Sequence, residues 1–563
     1  MKRKEWMRWL GTIALTVCAI SVMAYAILAA RRARIVSREG DTQAAEHKVQ
    51  EGRILNAYIE GSKEGMLTVW YEGGSHEYEA RLASPYTGIA DLEIRDGVIV
   101  QVDAKTASIE GTLDSYTDST VQISGYEKLS YTGEMPVYVL TEGTVRQKLL
   151  SDLVIGTSQM TLVVAYGEAC ALLQYREDVY ETIRVLIKNG ENKAYKSLYL
   201  TGESDYLAGE QEKKAHKVTS AEKLMQERAV GDEVRFTSQE GLLYLCDKNG
   251  AVKGTGYEGD FLVRKEEEGY VLINEVPIET YLRYVVPSEM PTYFSYEALK
   301  AQAVCARTFA YRQMRSHTYA AYGANLDDST AFQVYHAAGP YEVTDRAVRD
   351  TEGLVLTYEG ELIDCYYYST GSGYSENLEV WNADSPVYLV AENHTAEETK
   401  DLSDAKRFHA FISEKPDGFD ADSPYYRWTA ELSAKMGMDE QYGRLKRVRI
   451  DERSASGYIL SFTAEFEGGE RTYDRENDIR FALSKYLLNV TLADGKVLSR
   501  PSALPSACFE VESQKDGRIL LRGGGFGHGI GMSQYGADGM AKAGKSWQEI
   551  LTFYYKGAEI VER

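Results

Sequence analysis

The chain has 563 residues, with 85 acidic and 63 basic side chains and a formal net charge of −22. Because binding to nucleic acid requires a basic face that neutralises phosphates, this charge excludes DNA and RNA as partners. Six cysteines are too few and too scattered for a disulfide framework. The length is enough for two to four domains.

An apolar segment close to the N-terminus predicts a membrane anchor. Residues 10–30 carry no charge, and a helix of that length spans a bilayer core of about 30 Å. Two arginines follow the segment directly, which is a poor setting for cleavage, so we expect residues 1–34 to remain as a transmembrane helix rather than to be removed as a signal peptide. Basic residues flank both ends and leave the orientation open. The polar residues 35–51 predict a short linker.

Residues 52–178 predict a β-rich region. Apolar and polar residues alternate in residues 67–71, and Asp96-Gly97 separates two apolar runs, which is a strong hairpin signal. Residues 91–102 align, with gaps, to residues 161–174, so the region holds either two tandem small β units or one continuous β domain. Because it carries no catalytic constellation, it serves either as a contact module or as a spacer for the domain that follows.

The segment 285–291 places Glu289 between Pro287 and Pro291. Proline fixes its own φ and disfavours the helical region for the residue before it. The pattern therefore predicts a stiff, non-helical elbow between a strand and a helix, which would hold the Glu289 carboxylate at a set angle. Such a placement suits a catalytic acid.

Residues 295–314 predict a buried helix. Its side chains are apolar over most of the circumference, Ser295 is a candidate N-cap, and Glu297 lies in the first turn, where the helix dipole favours a carboxylate. We expect this helix to pack inside the domain.

Lys300 and Arg307 lie on one face of the predicted helix, seven residues apart. Burial of a cation is costly unless it has a partner. Either both side chains line a cleft behind Glu289 and bind substrate, or each pairs with a structural acid such as Asp327, Asp328 or Glu279.

Six glycines occur within residues 523–531. Glycine allows positive φ and lets the backbone approach a ligand closely, so the pattern predicts a loop that presents N–H groups to a ligand. Ser533 and Gln534 offer side-chain hydrogen bonds, and Tyr535 offers a ring for stacking. His528 either orients Glu289, contacts the ligand, or is a structural histidine.

These motifs together resemble the SpoIID/LytB family of peptidoglycan-processing proteins, whose members include the sporulation lytic transglycosylase. The resemblance runs from about Thr182 to the C-terminus, and we place the domain at residues 179–563. The segments that carry it are residues 276–282, 285–291, 297–308, 328–330, 333–335, 368–373, 380–381 and 523–537, with a tail at 550–551 and 554–555.

The resemblance implies a mixed α/β (α+β) catalytic domain, with mainly antiparallel sheets that frame a long groove. It also implies a single-pass protein of the cytoplasmic membrane, with the bulk of the chain outside the cytoplasm. The expected substrate is the glycan strand of peptidoglycan.

The implied activity is that of a lytic transglycosylase, in which one acid protonates the glycosidic oxygen and then removes the proton of the muramic C6 hydroxyl, closing a 1,6-anhydro ring. Glu289 is the expected acid, because desolvation in an apolar surround raises the pKa of a carboxyl into the working range. The expected substrate-binding residues are Ser288, Lys300, Arg307, Gln333, Ser369, Gly527, His528, Gly529, Ser533, Gln534 and Tyr535.

Two alternatives stay open. The protein is either this enzyme or a non-catalytic glycan-binding modifier that stimulates a cell-wall amidase. Glycoside hydrolysis usually takes two carboxylates, and Glu376 and Glu379 are either second acids or residues at a strand edge.

Neither a metal nor another cofactor is expected. The resemblance implies a zinc site in some members, with a His-Cys pair after the Asp-x-Thr motif and a cysteine in the Ser-Thr-x-Gly segment. The corresponding residues here are Ala331-Phe332 and 369–371, which offer no thiolate or imidazole for zinc.

Overall fold

The computed structural model describes residues 48–63, 65–80, 86–141, 143–178 and 180–563. The predicted anchor, residues 1–34, and most of the predicted linker lie outside the described residues. Within the described part of the chain, no helix combines the length and the apolar character needed to cross a bilayer. The chain divides into two compact units. One holds the described residues up to Tyr281 together with Gln313–Phe332, and the other holds Leu282–Arg312 and Gln333–Arg563.

The first unit begins with a closed barrel of five strands, in the order β1-β2-β3-β5-β4. The third and fifth strands are parallel, whereas the other pairs are antiparallel. This arrangement is that of the OB fold, although a fold by itself does not assign a ligand. The strands are β1 Gly52–Lys63, β2 Met66–Tyr71, β3 Gly74–Ala80, β4 Gly88–Arg95 and β5 Val98–Ala104.

A second β unit follows and shares part of this arrangement, although its strands form two sheets, β11-β10-β13-β12-β6 and β7-β8-β9. Strands β10 and β13 are parallel, β12 lies between β13 and β6, and the chain continues from β6 into β7, which pairs with β8. The hairpins β4–β5 and β12–β13, which contain the two aligned segments 91–102 and 161–174, occupy equivalent positions. The strands are β6 Ala107–Gly111, β7 Leu113–Tyr116, β8 Thr120–Ile123, β9 Leu129–Ser130, β10 Val137–Thr141, β11 Thr144–Lys148, β12 Met160–Ala165 and β13 Glu168–Gln174.

The rest of the first unit is a seven-stranded sheet, β17-β16-β19-β22-β23-β14-β24, and a four-stranded sheet, β18-β15-β20-β21. Residues 183–187 lie in β14. The elements are β14 Thr182–Ile187, β15 Tyr199–Gly202, β16 Tyr206–Ala208, β17 Gln211–Lys213, β18 Thr219–Ser220, α1 Ala221–Leu224, β19 Glu233–Ser238, β20 Leu243–Cys246, β21 Val252–Tyr257, β22 Asp260–Glu266, β23 Gly269–Pro277 and β24 Leu326–Asp327.

Buried charges join the second β unit to this sheet. Arg184 of β14 pairs with Asp114 of β7 at 3.0 Å, and the fully buried Arg264 donates to Ser115 Oγ and to Gln122 Oε1. Buried cations need such partners. The β-rich region and residues 182–281 therefore form one compact unit, so the division between units falls inside the predicted domain 179–563 rather than at its start.

The remaining elements give a mixed α/β architecture that is rich in strands. Three sheets have the orders β26-β25-β37, β33-β32-β28-β35-β34 and β29-β30-β31, and β27 lies parallel to β36. The helices are α2 Ile278–Glu289, α3 Tyr296–Met314, α4 Glu342–Arg349, α5 Ala405–Ser413, α6 Glu476–Ala482, α7 Gln534–Lys542 and α8 Trp547–Tyr554. The strands are β25 Leu354–Tyr358, β26 Glu361–Leu362, β27 Tyr367–Tyr368, β28 Trp428–Ser433, β29 Leu445–Arg453, β30 Ile459–Phe466, β31 Gly469–Tyr473, β32 Leu487–Leu492, β33 Val497–Ser499, β34 Phe509–Lys515, β35 Arg518–Gly523, β36 Met532–Ser533 and β37 Glu559–Glu562.

The helix predicted at residues 295–314 is confirmed as α3, Tyr296–Met314. Ala298, Ala301 and Val304 are completely buried, as the all-round apolar pattern requires. The Ser295 carbonyl accepts the first backbone hydrogen bonds of the helix. This helix forms the buried support on which the candidate site lies.

Candidate active site

Glu289 is the last residue of α2, Ile278–Glu289, and Pro287 lies inside this helix. The prediction of a non-helical elbow is therefore wrong. A proline inside a helix costs about 3 kcal/mol, but burial of each valine side chain contributes about 1.5–3 kcal/mol, and Val285 and Val286 are both fully buried. Packing thus outweighs the local preference. The second proline does act as expected, since the helix ends just before Met290-Pro291.

Glu289 is half-buried, and its carboxyl is held by the backbone. The backbone N–H of Val334 donates to Oε1 at 2.6 Å, and the Tyr367 side chain acts to lower the pKa of the carboxyl. The Glu289 backbone is also held, because Gln534 Nε2 donates to its carbonyl oxygen at 3.1 Å. The side chain and main chain of Glu289 are thus both tied to the surrounding protein.

Burial raises the pKa of Glu289 to about 7, although the hydrogen bonds from Val334 and Tyr367 act in the opposite direction. Among the described residues, no charged group contributes to this shift. A carboxyl whose pKa lies near neutrality is able both to give a proton and to take one back. This is the property that an acid/base catalyst requires.

Ser288 ties the end of α2 to the segment that binds Glu289. Its Oγ donates to the carbonyl of Tyr284 at 2.6 Å and accepts from the N–H of Ala338 at 3.0 Å. Ala338 follows Val334, whose N–H contacts the Glu289 carboxyl. Ser288 therefore positions the neighbouring backbone.

Gln333 is fully buried in the same segment. Its Nε2 donates to the carbonyl of Ala306 and to the hydroxyl of Tyr367, both at 3.2 Å. Gln333 thus contacts Tyr367 from the interior of the domain.

Lys300 and Arg307 differ in their surroundings. Lys300 forms an ion pair with Glu297 at 2.5 Å, with 15% of its side chain exposed. Arg307 is completely buried, and its guanidinium donates to the carbonyls of Leu354 and Val348. Neither of these contacts involves the acids named as alternative partners. The structure gives Arg307 a role in packing, whereas Lys300 keeps some access to solvent.

The glycine segment packs against protein rather than presenting a row of free N–H groups. Positive φ occurs at Gly525, Gly527, Gly529 and Gly531. The N–H groups of residues 524–527 already donate to carbonyls of this unit. A Cβ at Gly529 would lie 2.5 Å from the Tyr458 ring. The glycines therefore allow close packing and tight turning, which differs from the predicted reason for them.

His528 contacts the backbone of Tyr367. Its Nε2 lies 3.0 Å from the Tyr367 carbonyl, and its Nδ1 accepts from the N–H of Ile530 at 3.1 Å. Burial, with Arg480 nearby, lowers the pKa of His528 to about 3. The imidazole is therefore neutral at physiological pH, and it reaches Glu289 only through Tyr367.

Ser533 and Gln534 are both buried. Ser533 is the N-cap of α7 and its hydroxyl also bonds to the carboxylate of Asp420. Asp420 accepts a further bond from the N–H of Gly371 and lies 2.8 Å from His394 Nδ1. Ser533 thus belongs to a buried polar cluster, while Gln534 holds the Glu289 backbone.

An aromatic cluster follows Glu289 in the chain. The exposed ring of Tyr293 packs edge-on against Phe294, with centroids 5.3 Å apart, and Phe294 packs in the same way against Tyr535 at 4.9 Å. Burial, with Tyr293 nearby, raises the pKa of the Tyr535 hydroxyl. Ser369 lies next to this cluster, because its carbonyl accepts from the N–H of Tyr535.

The two candidate second acids are separated from Glu289 by their surroundings. Glu376 is 1% exposed, accepts from the hydroxyls of Ser454 and Ser456, and has a raised pKa because of burial. Glu379 is exposed in a short 3₁₀ turn, Leu378–Trp381. Neither carboxyl is hydrogen-bonded to a partner of Glu289.

Three features around Glu289 and the glycine segment escaped the sequence prediction: the Val334 N–H, the position of Tyr367, and the buried cluster of Asp420 with His394. Tyr367 stands in a run of three tyrosines just before the Ser-Thr-Gly motif. That position was the only available signal, and it does not say which tyrosine faces Glu289.

The described residues contain no group of three or more histidine, cysteine, aspartate or glutamate side chains placed to hold a metal ion. An open polar depression of about 320 Å³ beside Lys196, Glu222 and Tyr270 contains none of the predicted site residues. Glu289 and its partners remain the candidate active site.

Two family profiles match the chain. "Stage II sporulation protein" (SpoIID) matches residues 266–358, which contain Glu289, Lys300 and Arg307. A domain of unknown function, DUF8618, matches residues 375–531. The second match covers most of the glycine segment, with Asp420 and His394.

Curated relatives agree with this match. Stage II sporulation protein D of Bacillus subtilis is 33% identical over 310 residues, which are 52% of this chain and 76% of the relative. The amidase enhancer of the same organism is 33% identical over 298 residues, and these span 50% of this chain but only 40% of that protein. An uncharacterized protein of Brachyspira hyodysenteriae is 26% identical over 409 residues, 72% of this chain and 96% of the relative. The chain therefore belongs to the SpoIID/LytB family.

Proposed function

We propose that this protein is a lytic transglycosylase that cleaves the glycan strands of peptidoglycan and leaves 1,6-anhydro-muramic ends. The observation that carries the proposal is the Glu289 carboxyl, which accepts from the Val334 N–H at 2.6 Å. Burial raises the pKa of this carboxyl to about 7. Membership of the SpoIID/LytB family supports a role in the cell wall.

In the proposed reaction, protonated Glu289 first gives its proton to the glycosidic oxygen as the glycosidic bond breaks. The resulting carboxylate then removes the proton of the muramic C6 hydroxyl, whose oxygen bonds to C1 and closes the anhydro ring. One group performs both transfers, so its pKa has to lie near the working pH. The attacking oxygen belongs to the substrate, and this explains why a single acid is sufficient where glycoside hydrolysis uses two.

Sugar contacts in this proposal come from the side chains that keep exposed surface. Tyr293 and Tyr535 offer aromatic rings to the apolar faces of sugars. Lys300 offers a cation that is only partly neutralised by Glu297. Arg307, Gln333 and Ser533 are buried, and their role in the proposal is to support the site.

We also propose that the apolar segment 10–30 anchors the chain in the cytoplasmic membrane, with the catalytic part outside the cytoplasm where peptidoglycan lies. The support for this is the length of the uncharged segment and the nature of the proposed substrate. The net charge of −22 implies local contacts with anionic wall polymers rather than broad attraction.

A second candidate function is that of a glycan-binding modifier that stimulates a cell-wall amidase. The observation that favours it is the similarity to a protein named amidase enhancer. In this case Glu289 would bind glycan without transferring protons.

One experiment separates the two functions. Purified protein is incubated with isolated glycan strands, and the products are analysed by mass spectrometry for 1,6-anhydro-muramic ends. A parallel reaction adds a cell-wall amidase and measures release of stem peptides. Anhydro products that disappear in Glu289→Gln support the transglycosylase. Their absence, together with amidase stimulation that Glu289→Gln retains, would assign the modifier function instead.

A further inference from the structure

Tyr425 and Phe526 form a stacked pair of aromatic rings that the proposed reaction does not use. Their ring centroids are 4.4 Å apart, and their planes differ by only 17°. Both residues are half-buried, so each side chain keeps part of its surface in solvent. Among the described residues, neither ring contacts a further aromatic ring or a cation. The pair therefore has aromatic surface available for a ligand.

The backbone holds Phe526 against residues 369–370. The N–H of Phe526 donates to the Thr370 carbonyl at 2.8 Å, and the N–H of Thr370 donates back at 3.1 Å. Gly525 and Gly527, on either side of Phe526, have positive φ values of 85° and 110°. Since other residues rarely adopt such conformations, the two glycines allow Phe526 to lie this close to Thr370.

Tyr425 is tied to the same segment. Its carbonyl accepts from the N–H of Gly525 at 2.8 Å, and its N–H donates to Ser423 Oγ at 3.2 Å. The hydroxyls of Ser423 and Thr370 are buried and lie 2.8 Å apart. The backbone beneath both rings is therefore fixed before a ligand binds, which lowers the entropy cost of binding.

Residues 369–370 also connect this pair to the proposed sugar-binding surface. The carbonyl of Ser369 accepts from the N–H of Tyr535 at 3.0 Å. Tyr535 packs against Phe294, which in turn packs against the exposed Tyr293. The segment is thus bonded to both aromatic groups. A glycan strand bound at Tyr535 is longer than one sugar, so it can continue onto the neighbouring pair.

We propose that Tyr425 and Phe526 form a second aromatic platform, which binds a further sugar of the glycan strand beside those bound at Tyr293 and Tyr535. The inference rests on the proposed function. Aromatic faces suit the apolar faces of sugars. A protein partner fits less well, because a stable protein interface buries about 800 Å² on each side, and two half-buried rings offer much less. The protein should therefore prefer long strands to short fragments.

Binding of peptide-free glycan fragments of different length tests the platform. Isothermal titration uses the full chain with Glu289→Gln, so that the fragments stay intact, and compares a disaccharide with an octasaccharide. We expect the octasaccharide to bind more tightly. Tyr425→Ala should weaken its binding by about three- to tenfold and leave the disaccharide unaffected, because that fragment is too short to reach both platforms. Tyr425→Leu, which keeps an apolar side chain over Phe526, should behave in the same way.

Tyr442→Ala is the matched control. Tyr442 is also half-buried and stacked on a phenylalanine, Phe466, with planes 19° apart, but the guanidinium of Arg471 lies over its ring. This variant should keep the parental dependence on length. Parental octasaccharide affinity in both Tyr425 variants would overturn the inference, and so would a loss of equal size in Tyr442→Ala. Parental glycan affinity with loss of amidase stimulation in Tyr425→Ala would assign the pair to a protein partner instead.

Binding does not require proton transfer, so the two proposals are tested separately. The second measurement is release of 1,6-anhydro ends by the parental chain. If length-dependent binding requires Tyr425 but the parent releases no anhydro ends, the platform stands and the transglycosylase assignment fails. If the parent releases anhydro ends but binds both fragments equally well, the platform is refuted and the assignment stands.

Discussion

Glu289 and Asp420 are two carboxyls of the same compact unit whose surroundings have opposite effects. Glu289 is half-buried and its carboxyl accepts from the Val334 N–H, and burial raises its pKa to about 7. Asp420 is completely buried, and burial alone would raise its pKa as well. Hydrogen bonds from His394, Ser533 and the N–H of Gly371 nevertheless hold the pKa of Asp420 below its ordinary range.

The difference shows that burial alone does not decide whether a carboxyl is available as an acid. An imidazole partner with two further donors keeps Asp420 ionised, and an ionised, fully bonded carboxylate is a structural element. The Glu289 site lacks a cationic partner among the described residues, so the acid form persists near neutral pH. Mutation of Glu289 should therefore lower activity, whereas mutation of Asp420 should lower the stability of the fold.

The largest effect is expected from Glu289→Gln. The amide keeps the size of the side chain but performs neither proton transfer, so release of anhydro products should fall by a factor on the order of 10² or more. Binding to insoluble glycan should be retained. Glu379→Gln, at an exposed glutamate, is the matched control and should keep the parental rate. Parental release of anhydro sugars by Glu289→Gln would refute the single-acid mechanism.

Asp420→Asn should affect stability rather than chemistry. The change leaves His394 and Ser533 without a charged acceptor in a fully buried cluster, so the free energy of unfolding should fall by about 3 kcal/mol. Denaturant unfolding followed by fluorescence measures this loss. Asp422→Asn changes a neighbouring aspartate whose side chain is 71% exposed, and should cost less than about 1 kcal/mol. Equal stability of the two variants would contradict the structural role of Asp420.

Lys300→Ala and Arg307→Ala should separate binding from stability. Arg307→Ala removes the buried hydrogen bonds from the guanidinium to the carbonyls of Leu354 and Val348, so the free energy of unfolding should drop by about 2 kcal/mol or more. Lys300→Ala removes a partly exposed ion pair and should cost under about 1 kcal/mol. Glycan pull-down and thermal unfolding on both variants test the distinction. A well-folded Arg307→Ala protein that has lost glycan binding would restore the cleft hypothesis for Arg307.

The two carboxyls also predict different pH dependences. Since Glu289 has to be protonated for the first step, turnover should decline as pH rises through about 7. The depressed pKa of Asp420 stabilises the fold above the ordinary aspartate range, and this contribution is lost only as pH falls through the lower folded value. The stability gap between the parent and Asp420→Asn should therefore narrow in strong acid. A pH–rate profile and unfolding curves at several pH values check both statements.

The smallest effect is expected from Tyr293→Ala. Its ring is exposed and packs edge-on against Phe294, so the fold should be unaffected. Loss of one aromatic contact to a sugar should weaken glycan binding by about three- to tenfold. Isothermal titration with soluble glycan fragments measures the change, with the exposed Tyr341→Ala as control. Equal affinities in the two variants would remove Tyr293 from the proposed sugar-binding surface.

The local sequence pattern predicted some secondary-structure elements correctly and others wrongly. The apolar circumference of residues 296–314 is a property of one segment, and the helix formed as predicted. The two prolines around Glu289 were also a local signal, but α2 includes Pro287 because burial of Val285 and Val286 offsets the lost hydrogen bond. Local rules fail where tertiary packing contributes a larger free energy.

Sequence-based prediction reached the same limit at the glycine segment. The glycines indicated positive φ and a close approach of another group, and several of them do have positive φ. The sequence did not indicate which group approaches, and in the structure it is protein, such as the Tyr458 ring beside Gly529. The identity of the neighbour depends on residues about 70 positions away.

The family motifs, the strand-rich region, the buried helix and the choice of Glu289 as the candidate acid could all be read from the order of the amino acids. The environment of that acid could not: the Val334 N–H, the nearby Tyr367, and the burial of Arg307 and Ser533 became visible in the folded chain. A pKa and a hydrogen-bond network depend on groups that are distant along the chain. Tyr367 lies 78 positions after Glu289 and is held by His528, a further 161 positions on.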